Sequence, residues 1–333
     1  MHFPLIYTGR RFFFFTFVVE DRRPRLSRLV RGEKYPTLLP RGERIQACWQ
    51  HLHDVNACFT SSNYVIMPDH VHLLLMVNAT EEFRFNPLIF ARWFQKLTAI
   101  AQSPDDAVAL MRRSAPRRWD AVDVAAEAGL LEPGPSILHE ETIPWSENVW
   151  VNVSLNSRQL SSIRRYIKMN PARAFWKVDH PDLFRLCRSL KHPILNPAYT
   201  WSAIGDITLL ASPFLFLVRL TRKKTLQELE PEIEAHLERA RLGWMPVCGF
   251  ISPGEREFER RLKAIPNTRW IKTVPYGLPD RYDPSVEDSQ WIACGRQLIL
   301  SSFNTADYPP FQITRAGCLL MNERILQMVE ATQ

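Results

Sequence analysis

The chain has 333 residues, of which 46% are hydrophobic and 23% are charged, and its formal net charge is +7. This composition excludes a disordered or low-complexity polypeptide, and no apolar run reaches the ~20 residues that a membrane-spanning helix needs. The six cysteines lie far apart without a C-x-x-C pair, which argues against a zinc ribbon or a disulfide framework and favours reduced thiols in a cytoplasm.

The positive charge is unevenly distributed. Residues 1–200 contain 26 Lys and Arg against 19 Asp and Glu, whereas residues 201–333 contain 16 of each kind. An anionic partner for the first part, nucleic acid before others, is therefore a hypothesis. The length exceeds what a single core usually holds, so we predict a domain at 1–180, a linker rich in His, Pro and Asn at 181–204, and a second domain at 205–333.

In the first part, FFFFTFVVE (12–20) predicts a buried strand, and the apolar spacing within 42–57 predicts a helix. Residues 63–77, NYVIMPDHVHLLLMV, predict two strands around a Pro-Asp break. Residues 86–102 begin with Asn-Pro, which is typical of a helix start. Residues 103–142 are rich in Pro, Gly, Ala and charge, and we interpret them as an insertion or mobile loop.

A further helix is expected from about Ser157 to Asn170, because Pro171 disfavours the helical conformation of the residue before it. In the second part strands and helices alternate, which predicts a parallel α/β sheet. The predicted strands lie within 214–220, 244–250, 269–277 and 295–303, and the predicted helices lie at 225–243, 252–265 and 314–331.

Two histidines interrupt the apolar strand after the Pro-Asp break. Because side chains alternate along a strand, His70 and His72 point to one face while Val71 points into the core. Two imidazoles in this arrangement can share one divalent metal ion. The alternative is a pair of histidines on a solvated sheet face.

Tyr166 lies on a basic helix, and Asn170 follows one turn later on the same face. A phenol has a pKa near ~10, so it needs a cation or a metal-bound base nearby to attack a phosphodiester at neutral pH. A metal ion on His70, His72 and Asn170 would polarise the phosphate, and the arginines would hold flanking phosphates. The alternative is a packing tyrosine. The candidate DNA-binding residues around it are Arg164, Arg165, Lys168 and Arg173.

The blocks YVIMPDHVHLLL and YIKMNPARA resemble the two signature blocks of the HUH single-tyrosine transposases, in their REP-associated branch. In this resemblance His70 and His72 match the metal-binding pair, Tyr166 matches the nucleophile, and Asn170 matches a third metal ligand. The aromatic first strand, the helix before the hairpin and the Trp-led stretch before the tyrosine helix agree with it. The resemblance covers roughly residues 5–180.

The resemblance implies a ferredoxin-like α+β sandwich with an antiparallel sheet, the HUH endonuclease fold. It also implies an Mg²⁺- or Mn²⁺-dependent transposase that cleaves and rejoins single-stranded DNA beside a hairpin through a 5′-phosphotyrosine. Such a protein would act as a monomer or homodimer in a bacterial cytoplasm, at the nucleoid and away from membranes. Two departures are Asp69, where many relatives have Asn, and WSENVWVNV, which lacks a His or Asp found there in relatives. A domesticated hairpin-binding regulator or defence protein without turnover is the alternative.

In the second part, PVCGFISPGEREFERRL and GRQLILSSF resemble the Rossmann-like α/β domain of DNA-processing-protein-A type. The N–H groups at a helix start after a strand can bind an anion, which makes Gly249, Ser252 and Gly254 candidate anion-binding residues. Glu255 and Glu257 oppose this, and an ordinary helix cap is the alternative. The sequence has no G-x-G-x-x-G and no P-loop lysine, so a nucleotide-processing enzyme with a DNA-targeting first domain is the weakest hypothesis.

Overall fold

A computed structural model describes residues 6–116, 119–120, 142–154 and 156–332. It divides into two compact units, Met1–Ala172 and Arg173–Gln333. Leu195 and Trp201, which lie in the segment predicted as a linker, are buried in a core of the second unit.

The first unit contains a four-stranded sheet in which every pairing is antiparallel, as the resemblance implied. The strand order is β4-β5-β1-β6, so β4 and β6 form the edges. A separate short hairpin joins β2 and β3. The strands are β1 (Gly9–Val18), β2 (Ser27–Arg28), β3 (Thr37–Leu38), β4 (Phe59–Ile66), β5 (His70–Ala79) and β6 (Trp150–Ser154).

Five helices accompany these strands in the described part of the unit. Alternation along β1 buries Phe13, Phe15 and Phe17, which pack against Phe90 and Phe94 of α3. This phenylalanine core covers one face of the sheet and does not cover the other face. The helices are α1 (Pro40–Gln50), α2 (Leu52–Val55), α3 (Pro87–Ile100), α4 (Pro104–Ser114) and α5 (Ser157–Asp179), the last of which begins in this unit and continues past its end at Ala172.

The structure corrects two predictions about local elements. The helix expected to end at Asn170 continues through Pro171 as α5, because one missing N–H removes one hydrogen bond while the residues after it are good helix formers. Part of the segment interpreted as an insertion or mobile loop, 103–142, is the helix α4. Ser103 caps α4, and Met111 is buried in the core. Of the remaining segment, 117–118 and 121–141 lie outside the described residues.

The second unit contains a five-stranded mixed sheet in the order β7-β11-β10-β9-β8. The strands β8 to β11 are parallel, as predicted, but β7 pairs antiparallel with β11. The prediction placed no strand at β7 because these residues lay within and next to the expected linker. The strands are β7 (Ser202–Gly205), β8 (Leu215–Leu217), β9 (Met245–Cys248), β10 (Trp270–Thr273) and β11 (Gln297–Ser301).

Helices cover both faces of this sheet. Ile233 of α6 and Phe258 of α7 pack with Trp270 on one face, and Met321 and Ile325 of α9 pack on the other. None of the helices in the described part of the chain combines the length and apolarity that crossing a bilayer requires. The helices are α6 (Leu226–Arg241), α7 (Pro253–Ala264), α8 (Val286–Ala293) and α9 (Arg315–Glu330), with a 3-10 helix at Ile207–Ala211.

Candidate functional site

The face of the first sheet that is turned away from the phenylalanine core carries both histidines. Val71 is fully buried in that core, so His70 and His72 on either side of it point to the opposite face. The predicted orientation of the three residues is therefore confirmed. Backbone register places Thr16 of β1 directly opposite His72.

The tyrosine of α5 lies against this face. The ring centroids of His70 and His72 are 4.8 Å apart, and those of His72 and Tyr166 are 5.0 Å apart. Phe14 stacks on His72 at 5.4 Å and meets the Tyr166 ring edge-on at 6.1 Å. The structure thus brings together the three residues that the sequence proposed as catalytic, within one unit.

Each imidazole is oriented by a hydrogen bond at Nδ1. The Nδ1 atom of His70 is 2.6 Å from Oδ1 of Asp69, and the Nδ1 atom of His72 is 2.9 Å from Oγ1 of Thr16. Arg22 donates to the other Asp69 oxygen at 3.3 Å. Burial alone would raise the pKa of Asp69, but the hydrogen bonds and charges of His70 and Arg22 lower it overall, so this carboxyl group is held as the anion.

These hydrogen bonds fit a metal centre, because metal-binding histidines usually engage their second nitrogen with a carboxylate or another polar group. Nε2 of each ring is then the nitrogen that would bind the ion. Asn170, the third candidate ligand, is a buried residue one turn beyond Tyr166. Among the described residues, no cluster of three or more His, Cys, Asp or Glu side chains forms a metal-binding group. The predicted ligand set of His70, His72 and Asn170 therefore stays a prediction.

The four predicted DNA-binding residues do not share one environment. Arg164, Arg165 and Lys168 are exposed on α5, and the Arg164 guanidinium lies 5.6 Å from the Phe12 ring centroid. Arg173 is buried, and its Nη2 donates to Asp283 Oδ2 at 2.8 Å and to the Pro284 carbonyl oxygen at 2.9 Å. We therefore leave Arg173 out of the DNA surface proposed below.

The candidate anion-binding loop before α7 has internal acceptors for its N–H groups. Glu255 Oε2 accepts from Ile251 N at 2.8 Å and from Ser252 N at 3.0 Å, and Ser252 Oγ accepts from Glu255 N. This reciprocal arrangement is a capping box. A methyl group on Gly254 would meet a Leu229 methyl carbon at 2.7 Å, so close helix packing explains this glycine. The ordinary helix cap has the better support.

Glycine at position 249 has a similar packing role. A methyl group there would lie 2.5 Å from the Met321 methyl carbon. The end of the Met321 side chain on α9 thus packs directly over Gly249, the residue that follows β9. The anion-binding assignment of Gly249, Ser252 and Gly254 stays a prediction.

Sequence reasoning missed two neighbours of the histidines, Phe14 and Thr16. Alternation along β1 contained the signal, because Phe13, Phe15 and Phe17 occupy the buried face and their neighbours must occupy the other. Thr16 is the single polar residue in the run Phe12–Val19. Alternation along one strand does not give the register between β1 and β5, which places Thr16 opposite His72.

The chain matches no protein-family model and no curated protein. A solved structure of DNA processing protein A from Helicobacter pylori, concerned with its single-stranded DNA binding mode, is similar over 44% of this chain and 66% of its own, with 21% identity and a TM-score of 0.34. The chain thus spans just under two thirds of that structure. A REP-associated tyrosine transposase bound to a REP hairpin is similar over 53% of this chain and 74% of its own, with 13% identity and a TM-score of 0.27. At these TM-scores the likeness assigns neither a fold nor an activity.

Proposed function

We propose that this chain is a single-stranded DNA endonuclease and strand transferase of the HUH tyrosine type, with Tyr166 as its nucleophile. The observation that carries the proposal is the approach of the Tyr166 ring to His72 at 5.0 Å, with His70 a further 4.8 Å away. The two sequence blocks that resemble the HUH transposases support the same assignment. In this proposal the first unit is ferredoxin-like and the second is Rossmann-like.

The reaction would exchange one ester bond for another. The phenol oxygen of Tyr166 forms a bond to the scissile phosphorus and loses its proton, while the bond from phosphorus to the 3′ oxygen breaks. That oxygen gains a proton and leaves as a 3′-hydroxyl, so the DNA remains attached as a 5′-phosphotyrosine. Attack by a 3′-hydroxyl on this ester reverses the steps, and rejoining therefore needs no ATP.

His70, His72 and Asn170 would hold a divalent ion, with Asp69 and Thr16 fixing the two imidazole rings. When bound, Mn²⁺ or Mg²⁺ would polarise the phosphate and stabilise its developing charge. Mg²⁺ takes oxygen ligands, so a pair of imidazoles favours Mn²⁺ over Mg²⁺. Arg164, Arg165 and Lys168 would position the strand by contacting its phosphates.

The test is a covalent adduct between the protein and a labelled single strand that carries a hairpin. After incubation with Mn²⁺ or Mg²⁺, a denaturing gel should show a shifted band for the wild type and none for Tyr166→Phe. Tyr7→Phe is the matched control. This substitution also removes only a hydroxyl group, and Tyr7 packs on Phe13, on the core side of the sheet. An adduct in Tyr166→Phe would overturn the assignment of the nucleophile. Hairpin binding without any adduct in the wild type would favour a DNA-binding protein without turnover.

A further inference from the structure

A groove of about 690 Å³ lies beside α5 in the first unit. Its walls are the edge strand β4, the segment that leads into β3, and the outward side of α5. Its size is within the ~300–1,000 Å³ typical of small-ligand sites. Because every lining residue belongs to the first unit, the groove is a property of that unit alone.

The edge strand is irregular where it borders the groove. Ser61 pairs with Leu75 and Tyr64 pairs with Leu73, so three steps along β4 match two steps along β5. The extra residue is a β-bulge, a device that often re-aims side chains beside functional sites. Here Ser62 and Asn63 lie in the irregular stretch, and both line the groove.

All charged side chains among the described residues that line the groove are positive. Arg164, Arg165 and Lys168 line it from α5, and none of the described lining residues is acidic. An anionic occupant is therefore favoured electrostatically. The two flanking cations Arg164 and Lys168 are four residues apart, so they share one side of the helix.

The opposite wall supplies an aromatic ring and amide groups. Tyr35 lines the groove and is 60% exposed. Lys34 Nζ lies over the ring, 5.1 Å from its centroid, so a base would stack on the other face. Gln46 Nε2 donates to the Tyr64 hydroxyl at 2.7 Å, which fixes one amide within the groove, and the exposed Asn63 supplies a second. Exposed rings beside cations are the usual means of holding unpaired bases together with their phosphates.

We propose that this groove binds an unpaired nucleotide of single-stranded DNA. Its base would stack on Tyr35, its edge would meet the Asn63 amide, and its phosphates would lie against Arg164, Arg165 and Lys168. The inference deepens the proposed function and rests on it in one respect, that the ligand is DNA. A peptide strand added to β4 is disfavoured, because the bulge interrupts the regular backbone row that strand addition needs.

The test uses full-length protein and fluorescein-labelled single strands in which one nucleotide at a time is made abasic. Anisotropy titrations are made in the cleavage-silent Tyr166→Phe background, so that the probe stays intact. One abasic position should weaken binding by about 5- to 150-fold, which is the range for stacking one base on an aromatic side chain. Tyr35→Ala should weaken binding of the intact strand to the same extent, and Tyr35→Phe should restore it.

The decisive measurement combines the two changes. If Tyr35 and that base contact each other, the loss of affinity for the abasic strand in Tyr35→Ala should be no larger than the loss from either change alone. Phe214→Ala is the control, because Phe214 is an exposed aromatic residue of the second unit, and it should leave the abasic effect unchanged. Additive losses, or wild-type affinity in Tyr35→Ala, would overturn the groove assignment.

This outcome is separable from that of the proposed function. Tyr35-dependent binding without a Tyr166 adduct would retain the groove and remove the enzyme. A Tyr166 adduct with binding that is indifferent to Tyr35 and to every abasic position would retain the enzyme and remove the groove.

Discussion

Two groups of cations, one in each unit, have different partners. In the second unit, Asp283 accepts from Arg173 and Lys177, and Asp288 accepts from Lys272. On α5 in the first unit, Arg164 and Lys168 form no ion pair with any described residue. Arg173, Lys177 and Lys272 thus stabilise the fold, whereas Arg164 and Lys168 are the cations that the proposed function assigns to DNA phosphates.

The charged network around β10 is the clearest case of internal matching. Lys272 Nζ lies 2.9 Å from Asp288 Oδ1, and Asp288 also accepts from Gln297 and Ser285. Burial would raise the pKa of Asp288, but the Lys272 charge and the three hydrogen bonds lower it overall. Burial would likewise lower the pKa of Lys272, but Asp288 and Glu259 raise it. The pair therefore stabilises the fold in its charged form.

The largest expected effect comes from breaking that pair. Lys272→Met should lower the free energy of unfolding by about 3–5 kcal/mol, because it leaves Asp288 buried without its cation. Urea titration of the full chain measures this, and adding Asp288→Leu should recover much of the loss. Since the folded pKa of Asp288 is lowered, the stabilisation is present at neutral pH and disappears as the pH falls through that value. Equal acid sensitivity of wild type and variant would contradict this account.

The next effect tests whether His70 is needed for DNA cleavage. His70→Ala should slow adduct formation by at least ~100-fold through loss of a metal ligand, while DNA affinity changes by no more than about threefold. Gel quantification and anisotropy measure the two quantities. His51→Ala, which removes an exposed histidine paired with Asp54, should alter neither. Unchanged cleavage in His70→Ala would remove the metal-site proposal.

The smallest effect concerns the unpaired cations of α5. Arg164→Ala combined with Lys168→Ala should reduce the slope of log affinity against log salt by about 1.4 for a single strand, since each phosphate contact contributes about 0.7. Weakening should be similar for all DNA sequences. Arg260→Ala on α7 is the control, because this exposed arginine is already paired with Glu257. A slope unaffected by the α5 change would mean that DNA binds elsewhere.

Short-range patterns in the sequence were sufficient to predict which residues share a face in the candidate site. Alternation put His70 and His72 on one side of β5, and helical spacing put Asn170 one turn from Tyr166. The helix start at Asn86 also held, because its side chain accepts from the N–H of Leu88. These features depend on residues within a few positions of each other, which is the range over which a pattern carries geometric information.

Features that depend on distant partners were not predictable in this way. Arg173 looked like a surface cation because its partner Asp283 lies 110 residues further along the chain. The strand β7 was assigned to a linker for the same reason, since β11, the strand of the sheet that pairs with it, begins only at Gln297.

The bulge in β4 has a consequence for how the molecule behaves at high concentration. An open sheet edge offers a row of backbone donors and acceptors on which the edge of another copy can assemble. The additional residue between Ser61 and Tyr64 puts that row out of step, and the cations nearby would repel the same edge of a second copy. The irregular stretch of β4 that borders the groove should therefore also protect the protein from assembling into extended intermolecular sheets.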